Sequence, residues 1–328
     1  MSAEKIARPR ILLTRRWTQE VEQYLAERYE VTLNHDDVPL SPVALRAAMH
    51  EYDAICPTVT DRIDDNVLSA PERRVQLIGN FGVGYNHIDI EAAKRLGIRV
   101  SNTPDVLTDA TAELCILLLL MATRRAGEGE RELRAGGWTG WRPTHMMGQS
   151  LHGKTLGLIG FGRIAQATAR KAHHAFGMRI AYNGRRRASP EIENETGAEF
   201  IDSVDELVAI CDVVSLHCPG GPATFHLINA QRLRRMKRQA ILLNTARGSV
   251  VDEAALVAAL AEKRIAAAGL DVYEDEPRVN PALLDLENVV LLPHLGSATV
   301  ETRTAMGMRV AQNLEAHFAG RPLRDQVV

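Results

Sequence analysis

Residues 155–165 read Thr-Leu-Gly-Leu-Ile-Gly-Phe-Gly-Arg-Ile-Ala, a short apolar run that breaks at Gly160, Phe161 and Gly162 before a segment of helical character. The run has the length of a buried strand. Gly160 permits a tight turn, Gly162 has no side chain to hold the backbone away from a phosphate, and Ala165, in the third small position, lets the following helix pack close to the strand. A helix N-terminus behind such a turn offers unpaired N–H groups and the positive end of its dipole to an anion. Strand, turn and helix in this order predict the first unit of a dinucleotide-binding sheet. The alternative is a glycine-rich turn in some other α/β protein.

The rest of the chain alternates in the same way, which is the pattern of parallel sheets with crossover helices. Strands are expected at 10–14, 30–33, 54–56, 77–79 and 99–101, and then at 155–160, 178–183, 213–217, 240–244, 267–271 and 289–292. Helices are expected between them, among them 18–28, 41–50, 164–176, 205–210 and 253–261. Ser41 followed by Pro42 is a capping residue before proline at the first helical position.

The glycine turn falls mid-chain, so one α/β domain precedes the nucleotide-binding one. A last helix, near 298–319, is too short to be a domain and has to dock on another element. The economical layout is α/β with two doubly wound parallel sheets. A Rossmann nucleotide-binding domain (102–296) is inserted into a flavodoxin-like substrate domain (1–101 and 297–328). The chain crosses twice, near 102–104 and 293–296, which predicts a hinge and a cleft, with ligands at the carboxyl ends of the strands.

A length of 328 residues suits two such domains, and a net charge of −2 gives no reason to expect nucleic acid or a membrane surface as partner. The first ten residues are polar, without the apolar core of a signal peptide, and the longest apolar run, 114–122, is too short to cross a bilayer. That run predicts a helix, either buried within one subunit or supplying, with Arg124 and Arg125, the apolar part of a subunit interface. Cys56, Cys115, Cys211 and Cys218 lack metal-type spacing and read as buried free thiols, which fits a cytoplasmic setting. The eleven histidines form no HExxH pair, and no metal is expected.

Three segments follow strands and carry reactive side chains: Asn244-Thr245-Ala246-Arg247-Gly248-Ser249, then Asp271-Val272-Tyr273-Glu274-Asp275-Glu276-Pro277, then Pro293-His294-Leu295-Gly296. An arginine just past a strand end points into the ligand crevice, where its planar fork can grip a carboxylate. Alone, Arg247 would read as a surface residue and His294 as a structural one. Together with a nearby carboxylate, His294 becomes a candidate acid: the carboxylate fixes the tautomer on one ring nitrogen and the other delivers a proton.

On these segments, with the glycine turn, Asn80-Phe81-Gly82-Val83-Gly84 and Asn102-Thr103-Pro104-Asp105-Val106-Leu107-Thr108-Asp109-Ala110-Thr111-Ala112-Glu113, the chain resembles the D-2-hydroxyacid dehydrogenases. It is most similar to their glyoxylate/hydroxypyruvate reductases, from about residue 11 to the end. The resemblance implies that Arg247 binds the substrate carboxylate, that His294 is the general acid and that Glu276 pairs with it, although Glu274 and Asp275 lie close. It implies that Val83 and Gly84 offer N–H groups to the carboxylate on a loop supported by Asn80. On the cofactor side it implies Thr111 along the nicotinamide, Asp271 at the nicotinamide amide, and Arg163 and Ile164 with Gly160 and Gly162 on the pyrophosphate. Cys218, Pro219, Thr224, Thr245, Ala246, His294 and Gly296 complete the cofactor set. The substrates implied are small 2-keto acids, the products 2-hydroxy acids of D configuration, and the assembly a homodimer.

The second strand of the nucleotide domain bears on which nicotinamide cofactor is used. NAD-binding units usually carry an acid about 20 residues past the glycines to bind the ribose 2′-OH. Here the chain reads Ala181-Tyr182-Asn183-Gly184-Arg185-Arg186-Arg187, with no acid before Glu191. Asn183 and Gly184 leave room, and Arg185 and Arg186 could bind a 2′-phosphate, with Arg187 the poorer candidate. NADPH is therefore expected and NADH as the weaker cofactor; the alternative is a solvated basic turn. Trp138 and Trp141 lie in a glycine-bearing stretch, 136–148, and Trp141 is a candidate at the substrate or else an interface or core aromatic. Rival readings are a dehydrogenase for larger 2-keto acids, a phosphoglycerate, formate or phosphite dehydrogenase, and a non-catalytic nucleotide-sensing protein. Against the phosphoglycerate enzymes, the sequence has no room for the further domain many of them carry.

Overall fold

The computed structural model describes residues 8–328, which form two compact units: the chain up to Leu107 with Ser297–Val328, and Thr108–Gly296. The first crossing lies a few residues past Asn102, where the sequence reading put it. The reason is local. Asn102 N–H donates to Asp325 O and Thr103 N–H to Gly82 O, so this segment is bonded into the first unit before the chain leaves it.

The first unit is built on five parallel strands, β1 (Arg10–Leu13), β2 (Glu30–Leu33), β3 (Ala54–Cys56), β4 (Leu77–Gly79) and β5 (Arg99–Ser101), in the order β2-β1-β3-β4-β5. This is the flavodoxin-like order. One face packs Leu45, Met49, Ile55, Ile63, Leu68, Ile78 and Val100 into a core. The long C-terminal helix Val300–Phe318 docks on this unit. Two glycines set its approach: a side chain on Gly79 would lie 2.9 Å from Val310 Cγ1, and one on Gly307 2.8 Å from Val21 Cγ1. The tail then runs along β5, where Val100 N–H donates to Val328 O and Val327 N–H to Val100 O.

The second unit holds seven parallel strands, β6 (Thr155–Ile159), β7 (Arg179–Asn183), β8 (Ala198–Phe200), β9 (Val213–Leu216), β10 (Ile241–Asn244), β11 (Ala267–Leu270) and β12 (Val289–Leu291), in the order β12-β11-β10-β9-β6-β7-β8. The chain winds outward from β6 to β8 and then restarts at β9 on the other side, the reversal that defines a Rossmann switch point. Both sheets match the doubly wound class expected from the alternation of strands and helices. β8 was not anticipated; it is a three-residue edge strand, Ala-Glu-Phe, with too little apolar patterning to register.

Several expected strands end one residue early, leaving Gly160, His217, Asp271 and Leu292 beyond the ladder. These positions feed the loops at the carboxyl edge. The apolar run at 114–122 lies within helix Thr108–Arg124, whose inner face buries Cys115, Leu118, Leu119 and Ala122 inside the second unit, while Leu117 is exposed. All four cysteines are buried and free. Among the described residues no helix is long and apolar enough to cross a membrane, and no cluster of histidine, cysteine or acidic side chains could hold a metal ion.

Candidate active site of the nucleotide-binding unit

The turn after β6 shows why its residues are small. Gly160 has φ +87°, in the region that favours glycine, and a side chain there would lie 2.7 Å from Cys218 N and 2.8 Å from His217 C. The backbone leaving β9 therefore packs directly on the turn. Ala165 is fully buried, so helix Arg163–Phe176 sits against the sheet. Gly162 differs: its φ is ordinary, and a side chain there would meet nothing within 4 Å. The protein itself does not require glycine at 162; a ligand lying close to the backbone would. No side chain caps the helix and no acid stands in its first turn, where Arg163 is exposed and Ile164 half-buried. This fits a bound pyrophosphate.

At the end of β7, both amide hydrogens of Asn183 are committed, to Ile201 O and Asp202 O, each at 2.9 Å. Asn183 thus offers space and its backbone, not a side-chain donor. Arg187 is held away by a bidentate pair with Glu193, 2.8 and 2.9 Å, and Glu193 also accepts from the Tyr182 hydroxyl. Arg185 and Arg186 are exposed, and no ion pair among the described residues engages either. Of the three arginines, these two remain available to a ligand.

The loop after β9 uses its own polar groups. Thr224 Oγ1 donates to Pro219 O at 2.6 Å, closing residues 219–224 on themselves, and the Cys218 thiol is buried, which pushes it up to about 11. Both residues shape the loop at the carboxyl end of β9. Beneath them lies a group the sequence reading missed: His217 Nε2 is 2.9 Å from Ser215 Oγ, and burial pushes the imidazole down to about 4, so it is neutral.

After β10, buried Asn244 organises the turn, donating to Arg247 O at 2.9 Å and accepting from Ala246 N–H at 3.0 Å. Thr245 Oγ1 is buried just past the end of β10, beside the Cys115 thiol. Arg247 Nη1 donates to Ala246 O, and Gly220 rests on its stem: a side chain on Gly220 would lie 3.0 Å from Arg247 Cγ. Gly248 abuts the next loop, because a side chain there would fall 1.8 Å from Tyr273 C.

That loop sorts its three acids. Glu276 Oε2 is 2.8 Å from His294 Nδ1, and Glu276 Oε1 accepts from Tyr273 N–H at 3.0 Å. Asp275 pairs with Arg278, and Glu274 with His226. Burial works against the Glu276 carboxylate, but the His294 ring, the Tyr273 N–H and the Arg247 charge outweigh it and hold the group below the usual glutamate range. An ionised carboxylate only accepts, so Nδ1 carries a proton directed at Glu276 and Nε2 is left to face a ligand. Burial lowers the Arg247 guanidinium while Glu276 opposes the shift.

Asp271 is buried, and its two oxygens accept from Leu295 N–H at 2.6 Å and Gly296 N–H at 2.8 Å. It clamps the turn that carries His294, whose own φ of +56° lies in the left-handed region. Burial pushes the Asp271 carboxyl up to about 6 against the pull of those N–H groups and of His294. Thr111 lies beside them: a side chain on Gly296 would meet Asp271 Oδ2 at 3.3 Å and Thr111 Cγ2 at 3.5 Å.

In the first unit, the loop at 80–84 is tied down by its carbonyls. Buried Asn80 donates to Gly82 O at 2.9 Å and Gly84 O at 3.0 Å, and Asn102 donates to Val83 O at 2.9 Å. No acceptor among the described residues takes the N–H of Val83 or Gly84. His87 Nε2, 2.9 Å from Asn80 Oδ1, is a support the sequence reading missed. Trp141 is 82% exposed, which removes the core role considered for it.

The chain is similar over most of its length to proteins of a known family. Residues 116–296 match the family model of the D-isomer specific 2-hydroxyacid dehydrogenase, NAD binding domain. A glyoxylate reductase of Thermococcus onnurineus is 45% identical over 317 residues, 95% of this chain and 94% of that protein. One of Aeropyrum pernix is 46% identical over 320 residues, 96% and 94% of the two chains. The solved structure of an NADPH-dependent glyoxylate/hydroxypyruvate reductase from Sinorhizobium meliloti, in complex with NADP and malonate, superposes with a TM-score of 0.87 at 37% identity and covers 98% of this chain and 97% of that one. Similarity of this extent leaves one assignment: the chain belongs to the D-isomer specific 2-hydroxyacid dehydrogenases.

Proposed function

We propose that the protein reduces small 2-keto acids, glyoxylate and hydroxypyruvate, to the D-2-hydroxy acids glycolate and D-glycerate, with NADPH preferred over NADH. The observation that carries the reading is the Glu276–His294 pair at 2.8 Å, with Arg247 close enough to shift Glu276. A nicotinamide supplies the hydride when bound. Arg247 grips the substrate carboxylate and steadies the keto oxygen, as the N–H groups of Val83 and Gly84 do for the carboxylate. His294 enters the step as the imidazolium, with one proton on Nδ1 toward Glu276 and a second on Nε2. The Nε2 proton passes to the oxygen as it gains charge and leaves the ring neutral, while Glu276 holds the ring in the orientation this needs. The cofactor is held by Gly160, Gly162, Arg163 and Ile164 at its phosphates and by Thr111, Asp271 and Gly296 near the reacting ring. Cys218, Pro219, Thr245 and Ala246 line it with backbone and small side chains. Initial rates of NADPH and NADH oxidation with glyoxylate and hydroxypyruvate test this directly. Tight cofactor binding without turnover of either acid would sink it.

The NADPH preference rests on Arg185 and Arg186. A charged hydrogen bond contributes about 1.5–3 kcal/mol when sheltered, and exposure places these two at the low end. The double substitution Arg185→Ala with Arg186→Ala is expected to raise KM for NADPH about tenfold or more and to leave KM for NADH nearly unchanged. Arg187→Ala, removed from the site by Glu193, is the control and should do neither. An unchanged KM for NADPH in the double variant defeats the assignment.

A homodimer in the cytoplasm completes the proposal. Leu133 (60%), Trp138 (53%), Trp141 (82%) and Met147 (67%) are exposed in one segment of the second unit, apolar side chains that a second copy of the chain would cover. Trp138→Ser with Trp141→Ser is expected to halve the mass seen by light scattering. If Trp141→Ala leaves both the mass and KM for hydroxypyruvate unaltered, Trp141 serves neither interface nor substrate.

A further inference from the structure

The second unit contains another histidine–carboxylate pair that the chemistry above does not use. His226 Nε2 lies 2.6 Å from Glu274 Oε1, both side chains are about one-third exposed (30% and 33%), and Phe225 stacks on the imidazole at 3.9 Å. Like His294, His226 has a left-handed backbone, with φ +48°. A residue held in that conformation is fixed by its surroundings.

The surroundings are the two segments that carry the proposed active-site groups. On one side, His226 N–H donates to Ser249 O and Ile228 N–H to Val250 O, while Asp252 N–H donates back to Ile228 O. Residues 226–228 are thus hydrogen-bonded to the single 3-10 turn Gly248–Val250 that follows Arg247, and Ile228 forms an isolated parallel bridge with Val251. On the other side, Glu274 belongs to the loop that ends at Glu276. Its own N–H donates to Glu253 Oε2 at 3.1 Å, and its backbone N would lie 2.3 Å from a side chain on Gly248. The Arg247 turn and the 273–276 loop touch at Gly248, where no side chain can lock them. The lock stands next to that contact, as the His226–Glu274 bond.

We infer that His226 and Glu274 are positioning residues for the keto-acid chemistry: their bond fixes the Arg247 turn relative to the loop that carries Glu276, and so sets the spacing between the guanidinium and the Glu276–His294 pair. The inference rests on the reading of Arg247 and His294 given above. Neither His226 nor Glu274 has to touch substrate or cofactor. Displacement of a reacting group by about 1 Å costs on the order of 100-fold, so a modest shift at this joint has a large kinetic readout.

The test compares wild type, His226→Ala, His226→Gln, Glu274→Ala and the double alanine variant. The measurements are kcat and KM for glyoxylate, Kd for NADPH, the melting temperature, and the 15N resonances of the His294 ring. His226→Ala is expected to raise KM for glyoxylate about 10- to 100-fold, with Kd for NADPH within about twofold, and to move the His294 resonances. His226→Gln, which keeps a neutral donor, is expected to recover most of the loss. The double variant should be no worse than either single one, because both remove the same bond. The inference is overturned if His226→Ala changes neither KM, kcat nor the His294 resonances. It is equally overturned if the loss follows the melting temperature and the glutamine variant fails to restore it. A wild-type protein that turns over no 2-keto acid would instead strike the proposed function, and the His294 resonances would then decide the positioning claim alone.

Discussion

Replacing His294 by asparagine is expected to lower kcat for glyoxylate reduction by about 10²–10⁴-fold, while Kd for NADPH stays within a few-fold of wild type. The His294 turn is fixed from below by Asp271, which accepts the N–H groups of Leu295 and Gly296, so the backbone does not depend on the imidazole. Asparagine also tolerates the left-handed conformation that His294 occupies, with φ +56°. The substitution therefore removes the ring and leaves the turn. What is lost is the proton donor at Nε2 and the partner of Glu276, whose carboxylate His294 helps hold below its usual range. Glu276→Gln should give a smaller loss, because an amide oxygen can still accept from Nδ1 and keep the tautomer. Single-turnover rates with saturating NADPH separate the two variants from any binding defect. Retention of wild-type kcat in the asparagine variant would remove His294 from the chemistry.

Much of this site was legible in the sequence because its parts sit at strand ends, where a short apolar run announces the element and the next few residues announce the loop. Gly160, Asn183, Arg247, Asp271 and Glu276 all fall at or just past such ends. Periodicity and turn chemistry also exposed the two α/β units, down to the docking of the last helix. Pairing between distant segments was not legible. Glu274, Asp275 and Glu276 are chemically alike and adjacent, and only the fold decides that they face His226, Arg278 and His294 in turn. Nor could the sequence show that Asn183 turns its amide to Ile201 and Asp202, since those acceptors are backbone carbonyls brought beside it by the edge strand β8. His87 and His217 escaped for the same reason: their significance lies in a hydrogen bond to a residue that needs support, not in any local pattern.

Gly248 is the extreme case, and it yields the sharpest structural expectation. Nothing in Arg247-Gly248-Ser249 distinguishes this glycine from a turn residue, and its φ is not in the left-handed region. The constraint is a neighbour 25 positions on: a side chain at 248 would lie 1.8 Å from Tyr273 C, 1.9 Å from Tyr273 O and 2.3 Å from Glu274 N. These are backbone atoms, braced by Tyr273 N–H on Glu276 and Glu274 N–H on Glu253, so no rotamer can relieve the overlap. Overpacking a rigid site typically costs about 1–3 kcal/mol, and with backbone on both sides Gly248→Ala belongs at the upper end. At about 2–4 °C per kcal/mol for a domain of this size, its melting temperature should fall by roughly 6–12 °C. The Arg247 turn must also back away from the Glu276 loop, so kcat/KM for glyoxylate should fall by about 100-fold or more. Gly162→Ala is the informative contrast. Its added methyl meets no protein atom within 4 Å, so the melting temperature should hold while KM for NADPH rises. Two glycine-to-alanine changes in one unit should thus separate, one read by calorimetry and one by cofactor titration. Equal melting temperatures for Gly248→Ala and wild type would mean that the two loops are not in the contact that sets the active-site spacing.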